Sequence, residues 1–148
     1  MKRRVFLEGG AALAASFIVR PATARTQSPV LTSLVNTFAM GVPVREARVT
    51  LAIAPLVDSG NSVPVTISVD SPMSPSQHVV SIALFNEKNP QNDVAEFALS
   101  PLSGRARVAT RIRLAVSQQL VAVARMNDGS CWSHSVEVLV TTAACIEE

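Results

Sequence analysis

Short runs of β-branched and other apolar residues recur along most of the chain, with polar residues at alternate positions. Seven runs stand out: ARVTLAI, VPVTISVD, HVVSIALF, DVAEFALS, ARVATRIRL, QLVAVARM and SCWSHSVEVLV. Turn-forming residues separate them, in PLVDSGNS, SPMSPSQ, NEKNPQN, SPLSGR and NDG. Seven short strands at this spacing predict an all-β fold, an immunoglobulin-like antiparallel β-sandwich. An α/β fold is not expected, because no helix-length segment separates the strands.

One segment before the strands has a helical period. In SPVLTSLVNTFAM, Ser28 can cap a helix and Pro29 suits its first position, while Val30, Leu34 and Phe38 share one face at a spacing of four. We therefore predict a linker and a short N-terminal helix over residues 25–45. The sandwich is expected to occupy residues 46–140, with a tail over residues 141–148.

Four arginines alternate with apolar residues in GRARVATRIRL. Because successive side chains of a strand point to opposite faces, one outer face should carry all four guanidinium groups, those of Arg105, Arg107, Arg111 and Arg113. Such a stripe could bind an anionic ligand or an acidic partner surface. The alternative is an ordinary solvated face that discourages edge pairing.

The segment NDGS predicts a hairpin between the last two strands. Asp128-Gly129 is a strong signal for a two-residue turn, which would place Asn127 opposite Ser130. On the final strand, the core face should carry Trp132, Val136, Val138 and Val140. The opposite face should carry Cys131, Ser133, Ser135 and Glu137.

The first 24 residues have the pattern of a bacterial export signal. The pair Arg3-Arg4 precedes the apolar stretch GGAALAASFIV, and residues 22–24 form an A-x-A cleavage site. The two arginines indicate the twin-arginine route and hence the periplasm. A membrane anchor is the alternative, but eleven helical residues span only about 16 Å of a hydrocarbon core of roughly 30 Å.

Removal of this segment changes the charge of the chain. Four of the 13 basic and one of the 11 acidic residues lie before residue 25, which leaves nine basic and ten acidic groups and a net charge of −1. The basic balance of the whole sequence therefore gives no argument for nucleic acid binding. The remaining 124 of the 148 residues suffice for one domain.

The two cysteines are not expected to form a disulfide with each other. An extended segment over residues 131–140 carries the chain about 30 Å from Cys131, and five further residues return at most about 17 Å. A disulfide requires Cα atoms within roughly 7 Å. Cys131 is then a small filler near the turn, and Cys145 a free or intermolecularly bonded thiol.

The sequence contains no familiar constellation of catalytic residues. His78 and His134 both lie in predicted strands, and Cys131 and His134 are three residues apart, so they face opposite sides of a strand. No metal site or cofactor is expected. Cys145 precedes Glu147 and Glu148, whose charge opposes thiol ionisation. It could be a carrier thiol activated inside another protein, a thiol that dimerises the chain, or a frayed terminus without a role.

The chain resembles the SoxY family, the sulfur-carrier subunits of the periplasmic thiosulfate-oxidising system. The likeness rests on VPVTISVDSPMSPSQHVVSIALFNEKNP, on SGRARVATRIRLAVSQQLVAVARMNDGSCW and on the closing VTTAAC. It implies a non-enzymatic subunit that pairs with a SoxZ-like partner and holds sulfur covalently on Cys145. A c-type cytochrome would load thiosulfate, and a hydrolase and a dehydrogenase would process the bound sulfur.

The end of the chain departs from this family. SoxY proteins typically end in G-G-C-G-G, whereas Ala143 and Ala144 precede Cys145 here and Ile146 follows it. Alanine and isoleucine allow the backbone less freedom than glycine. Two readings follow, a sulfur carrier and an immunoglobulin-like interaction module that has lost carriage.

Overall fold

The computed structural model describes residues 27–144 of the chain. The predicted export signal and Cys145 therefore lie outside the described residues. Within this range the strands are β1 (Val44–Glu46), β2 (Val49–Ala52), β3 (Leu56–Ser59), β4 (Val63–Val69), β5 (Val79–Asn86), β6 (Asp93–Ala98), β7 (Arg107–Ile112), β8 (Gln118–Met126) and β9 (Cys131–Thr142). The helices are α1 (Pro29–Phe38) and a 3-10 turn, Pro101–Ser103. No helix between residues 27 and 144 is long and apolar enough to cross a membrane.

The strands form two sheets that pack face to face. The larger sheet has the order β1-β9-β8-β5-β6, with β3 also paired to β9, and the smaller has the order β2-β4-β7. The core between them draws on both sheets, for example on Ile67 of β4 and on Ile82 and Leu120 of the larger sheet. The predicted all-β immunoglobulin-like sandwich is thus confirmed.

All seven predicted strands are present, but the sequence pattern missed two more. These are β1 and β3, which are three and four residues long and both pair in parallel with β9. β3 lies inside PLVDSGNS, where the sequence predicts a turn. So short a strand leaves almost no alternation in the sequence, and its pairing depends on a partner more than 80 residues away.

Helix α1 begins as predicted, and the apolar row that it buries most deeply lies beside the one that contains Val30, Leu34 and Phe38. Ser28 caps it by accepting a hydrogen bond from the backbone N–H of Leu31. Leu31 and Val35 are buried, whereas Val30 is 45% exposed. The sequence contains two apolar rows at a spacing of four. The helix docks mainly through the second, while Leu34 and Phe38 of the first are partly buried against the same cluster. It covers the outer face of the larger sheet, where it packs on Ala83, Phe85, Val121 and Val123.

The β8–β9 hairpin has a three-residue loop, so the predicted two-residue turn is wrong. Arg125 pairs with Cys131, and the N–H of Met126 donates to the carbonyl of Ser130. Gly129 has a φ of +83°, and its N–H donates to the carbonyl of Met126. The extra residue is accommodated by the left-handed conformation of Gly129, as in three-residue hairpins with a bulge.

The two faces of β9 are those predicted from the hairpin pattern. Trp132, Val136 and Val140 pack on the core, and Val138 is fully buried. The opposite face is also sheltered at its start, since Cys131 and Ser133 are only 1% and 4% exposed. β1 pairs beside these residues.

Candidate functional site

The chain that leads to Cys145 is fixed to one end of the sandwich. β9 continues to Thr142, two residues beyond the predicted strand, and Thr142 pairs with Ser59. Ala144 is 7% exposed. We call residues 143–144 the arm root, because Cys145 is bonded directly to Ala144.

Three backbone hydrogen bonds hold this end of the chain. The N–H of Gly60 donates to the carbonyl of Thr142 at 2.9 Å. The N–H of Leu114 donates to the carbonyl of Gly60 at 2.8 Å, and the N–H of Ala144 donates to the carbonyl of Leu114 at 3.3 Å. The segment after β3, the segment after β7 and the arm root therefore meet at Leu114.

Asn89 braces the same segment from the loop between β5 and β6. Its Nδ2 donates to the carbonyl of Arg113 at 2.8 Å, and its Oδ1 accepts from the N–H of Ala115 at 3.0 Å. The Nε2 of Gln118 also donates to Asn89 Oδ1, at 2.7 Å. Sequence reasoning missed Gly60, Asn89 and Leu114. The only available signal was the density of asparagines in NEKNPQN, which is typical of side chains that bond to backbone groups in loops.

The four arginines of the predicted stripe are all exposed, and the apolar residues of the opposite face, Ala106, Val108 and Ile112, are buried or partly buried. β7, which carries Arg107 and Arg111, is an edge strand of the smaller sheet. Arg111 Nη1 donates to the carbonyl and the hydroxyl of Ser62. Within residues 27–144, no ion pair joins any of the four to a carboxylate. At one end the stripe adjoins the arm root, because Arg113 precedes Leu114.

Cys131 is a free thiol without access to solvent. Burial raises the pKa of Cys131, and nearby Asp128 raises it further, although Arg125 opposes both effects. The Sγ atom lies 3.8 Å from the carbonyl oxygen of Gly129. This cysteine is the small filler that the sequence predicted, and its environment suppresses the reactive thiolate.

The histidines have structural partners. His134 Nδ1 accepts a hydrogen bond from the N–H of Leu51 at 3.0 Å and so links β9 to the smaller sheet. As predicted, His134 faces away from Cys131 on β9. His78 was expected inside a strand but precedes β5, and its Nδ1 lies 3.1 Å from the carbonyl of Ser74. In the described part of the chain, no three His, Cys, Asp or Glu residues are grouped to hold a metal ion.

Solved structures with a similar fold include a sulfur carrier. The sulfur carrier protein SoxY from Chlorobium limicola f thiosulfatophilum is 25% identical, with a TM-score of 0.63, and the match covers 75% of this chain and 96% of that chain. A superoxide reductase (neelaredoxin) from Ignicoccus hospitalis is 21% identical, with a TM-score of 0.56 and coverage of 64% and 80%. The superoxide reductase from Nanoarchaeum equitans is 15% identical, with a TM-score of 0.55 and coverage of 65% and 100%.

The two reductases share the fold with this chain, and at these identities the likeness extends no further. No curated protein sequence matches the chain. The model of the family described as sulfur oxidation protein SoxY, in contrast, matches residues 35–145, which is most of the chain and includes Cys145. The sandwich, the SoxY structure and this match agree: the chain belongs to the SoxY family of sulfur oxidation proteins.

Proposed function

We propose that the chain is a periplasmic sulfur carrier that holds the intermediates of thiosulfate oxidation covalently on Cys145. The observation that carries the proposal is the extent of the family match, which runs to Cys145. Two further features support it. Cys131, the other cysteine, is buried with a raised pKa, and Ala144 fixes the attachment point of Cys145 at the end of the sandwich. The export pattern of residues 1–24 supports the periplasmic location.

In the loading step, a sulfur–sulfur bond forms between Cys145 and thiosulfate. The Cys145 thiolate and the outer sulfur of thiosulfate together lose two electrons, which a c-type cytochrome accepts one at a time, and the product is a Cys145 thiosulfonate. Attack of water at its terminal sulfur, catalysed by a partner hydrolase, releases sulfate and two protons and leaves a persulfide on Cys145. A dehydrogenase would then oxidise the persulfide sulfur with oxygen from water, the electrons passing to a c-type cytochrome and the protons to solvent.

The residues that follow Cys145 in the sequence disfavour its thiolate. Glu147 and Glu148 oppose ionisation of a neighbouring thiol, so the partner enzymes must provide the positive charge or the base that activates it. This division of labour suits a non-enzymatic subunit. A SoxZ-like subunit is the expected partner of a heterodimer.

We assign the arginine stripe to the docking of acidic surfaces of these enzymes. The four guanidinium groups are exposed, and the Arg113 end of the stripe adjoins the arm root. Arginines that form no ion pair with a carboxylate of residues 27–144 are available for intermolecular ion pairs, which steer association more than they strengthen it.

Intact-mass analysis of the native protein, purified under thiosulfate-oxidising conditions, tests the carrier function. We expect sulfur or thiosulfonate additions that a reductant removes. Cys145→Ser should abolish them, and Cys131→Ser, the matched control, should retain them. A thiol at Cys145 that stays unmodified throughout would refute carriage.

The departure of the arm from the glycine-rich pattern favours a second function to be tested beside the first. An interaction module without carriage would bind its partner through the sandwich alone. In that case Cys145→Ser would leave both complex formation and the thiosulfate phenotype intact. A carrier would lose the phenotype and keep the complex.

A further inference from the structure

Leu114 links the arm root to the rest of the molecule through both of its backbone polar groups. Its N–H donates to Gly60 and its carbonyl accepts from Ala144, while its side chain is completely buried in the core. A buried side chain fixes the position of the backbone to which it is attached. Leu114 is therefore a rigid point from which the position of Ala144 is determined.

Gly60 is required by close approach of two backbones. A β-carbon at this position would overlap the carbonyl oxygen of Leu114 and would lie 3.2 Å from the backbone nitrogen of Ala144. The neighbours are backbone atoms, which cannot move aside as the end of a side chain can. A larger residue at position 60 would thus separate the three segments that meet at Leu114.

Asn89 fixes Leu114 from both sides. Its amide bonds to the carbonyl of the preceding residue and to the N–H of the following one, Arg113 and Ala115. One side chain thereby replaces two backbone partners that a strand neighbour would otherwise supply. Loss of this amide would leave the segment after β7 attached mainly through the Leu114 side chain and Gly60.

The hydrogen bond from Ala144 lies beyond the pairing of β9, which ends at Thr142. It extends no strand and instead fixes the residue to which Cys145 is bonded. We propose that Gly60 and Asn89 are positioning residues for Cys145, which hold the arm root so that the thiol is presented to partner enzymes from one defined point. The inference rests on the proposed carrier function, although the positioning itself can be measured without it.

A nitroxide label attached to Cys145 by a disulfide tests the proposal. The label is placed in the Cys131→Ser variant, and its mobility is read from the continuous-wave electron paramagnetic resonance spectrum. We expect a restricted component that is largely lost in Gly60→Ala and in Asn89→Ala. Asn89→Asp should give an intermediate spectrum, because it can still accept from Ala115 but cannot donate to Arg113.

Two control variants separate positioning from general loss of stability. Gly104→Ala introduces a side chain at a φ of +72° with no neighbour within 4 Å, and Asn36→Ala removes an exposed amide from α1. Both should leave the spectrum unchanged. The inference is overturned if Gly60→Ala and Asn89→Ala fold but give the spectrum of the parent protein, or if the controls mobilise the label equally.

A functional measurement completes the test. In Asn89→Ala, enzyme-dependent formation of the thiosulfonate on Cys145 should slow several-fold, while alkylation of Cys145 by neutral iodoacetamide stays as fast or becomes faster. Equal slowing of both reactions would contradict positioning. Absence of any thiosulfonate in the parent protein would instead refute carriage and leave the spectroscopic result standing.

Discussion

Cys131 shows how the surroundings of one residue decide its chemistry. The residue is 1% exposed, and on β9 it pairs in register with Arg125, close to the hairpin loop. Burial favours the neutral thiol over the thiolate, which is the nucleophilic form. A residue in this position stabilises the hairpin by packing, and the thiolate that sulfur exchange would require is disfavoured.

This environment predicts selective alkylation. In the folded protein at pH 8, iodoacetamide should modify Cys145 and react with Cys131 at least about tenfold more slowly, because reaction at Cys131 requires local opening and a thiolate disfavoured by its raised pKa. Peptide mass mapping measures both sites. In urea the two should react at similar rates, and comparable rates in the folded state would show that Cys131 is accessible.

Residues differ in how far the sequence reveals their role. The exposure of the arginine stripe was predictable, since the alternation of a strand is a local property. Gly60 and Asn89 were not predictable, because their importance arises where three segments distant in sequence meet. A glycine in SGN is typical of any turn, and only the crossing with Leu114 distinguishes it.

At the scale of the element, the position of α1 on the larger sheet is set by the apolar side chains that it buries. Leu31 and Val35 contact the larger sheet, and Phe38 packs edge-on against Phe85 with ring centroids 6.1 Å apart. Arg125 lies over the Phe38 ring, 5.4 Å from its centroid. The helix therefore acts as a cover for an apolar sheet face.

Truncation of a buried and of an exposed side chain of α1 should have unequal effects on the free energy of unfolding. We expect Leu31→Ala to lower the free energy of unfolding by about 2–5 kcal/mol, because it leaves a cavity between helix and sheet. Val30→Ala, its neighbour on the exposed side, should change it by only about 0.5 kcal/mol. Urea denaturation followed by tryptophan fluorescence gives both values. Similar decreases in the free energy of unfolding would show that Leu31 does not lie on the docked face of the helix.

Elements also differ in how visible they are in the sequence. The seven longer strands were predictable from alternation and flanking turns, whereas β1 and β3 were too short to show a period. The length of the hairpin loop was ambiguous, since Asp-Gly suits a two-residue turn and also the end of a three-residue one. Tertiary pairing with β9 settled both cases.

The outer faces of the two sheets differ across the whole molecule. α1 covers the outer face of the larger sheet, while the outer face of the smaller sheet lies open and carries Arg107 and Arg111 on its edge. The arm root emerges beside the end of the same edge strand. A partner docked on the arginine stripe would therefore lie close to the arm root, to which Cys145 is attached.

Neutralising the stripe should slow the loading of Cys145. We expect Arg107→Gln/Arg111→Gln to reduce the rate of thiosulfonate formation about 3- to 10-fold in a periplasmic extract with thiosulfate at low salt, and the difference should shrink at high salt. Intact mass against time measures the rate. The control, Arg45→Gln/Arg125→Gln, removes the same charge from positions off β7 that lie over Trp132 and Phe38.

Equal rates of thiosulfonate formation in the two double variants would show that the stripe is not part of the docking surface. A further comparison identifies what the stripe attracts. If it acts on small anions, a negatively charged aromatic disulfide should also react more slowly with Cys145 in the stripe variant without any enzyme. If it acts on a protein surface, that reaction should be unchanged.

β9 follows every other described strand in the sequence, yet it lies between β8 on one side and β1 and β3 on the other. β1 and β3, from the first half of the described chain, join β8 only through β9. The larger sheet therefore cannot take its final order until contacts more than 80 residues apart have formed. Contacts so distant in sequence form slowly, because the entropy of closing the intervening loop is lost before the pairing stabilises it.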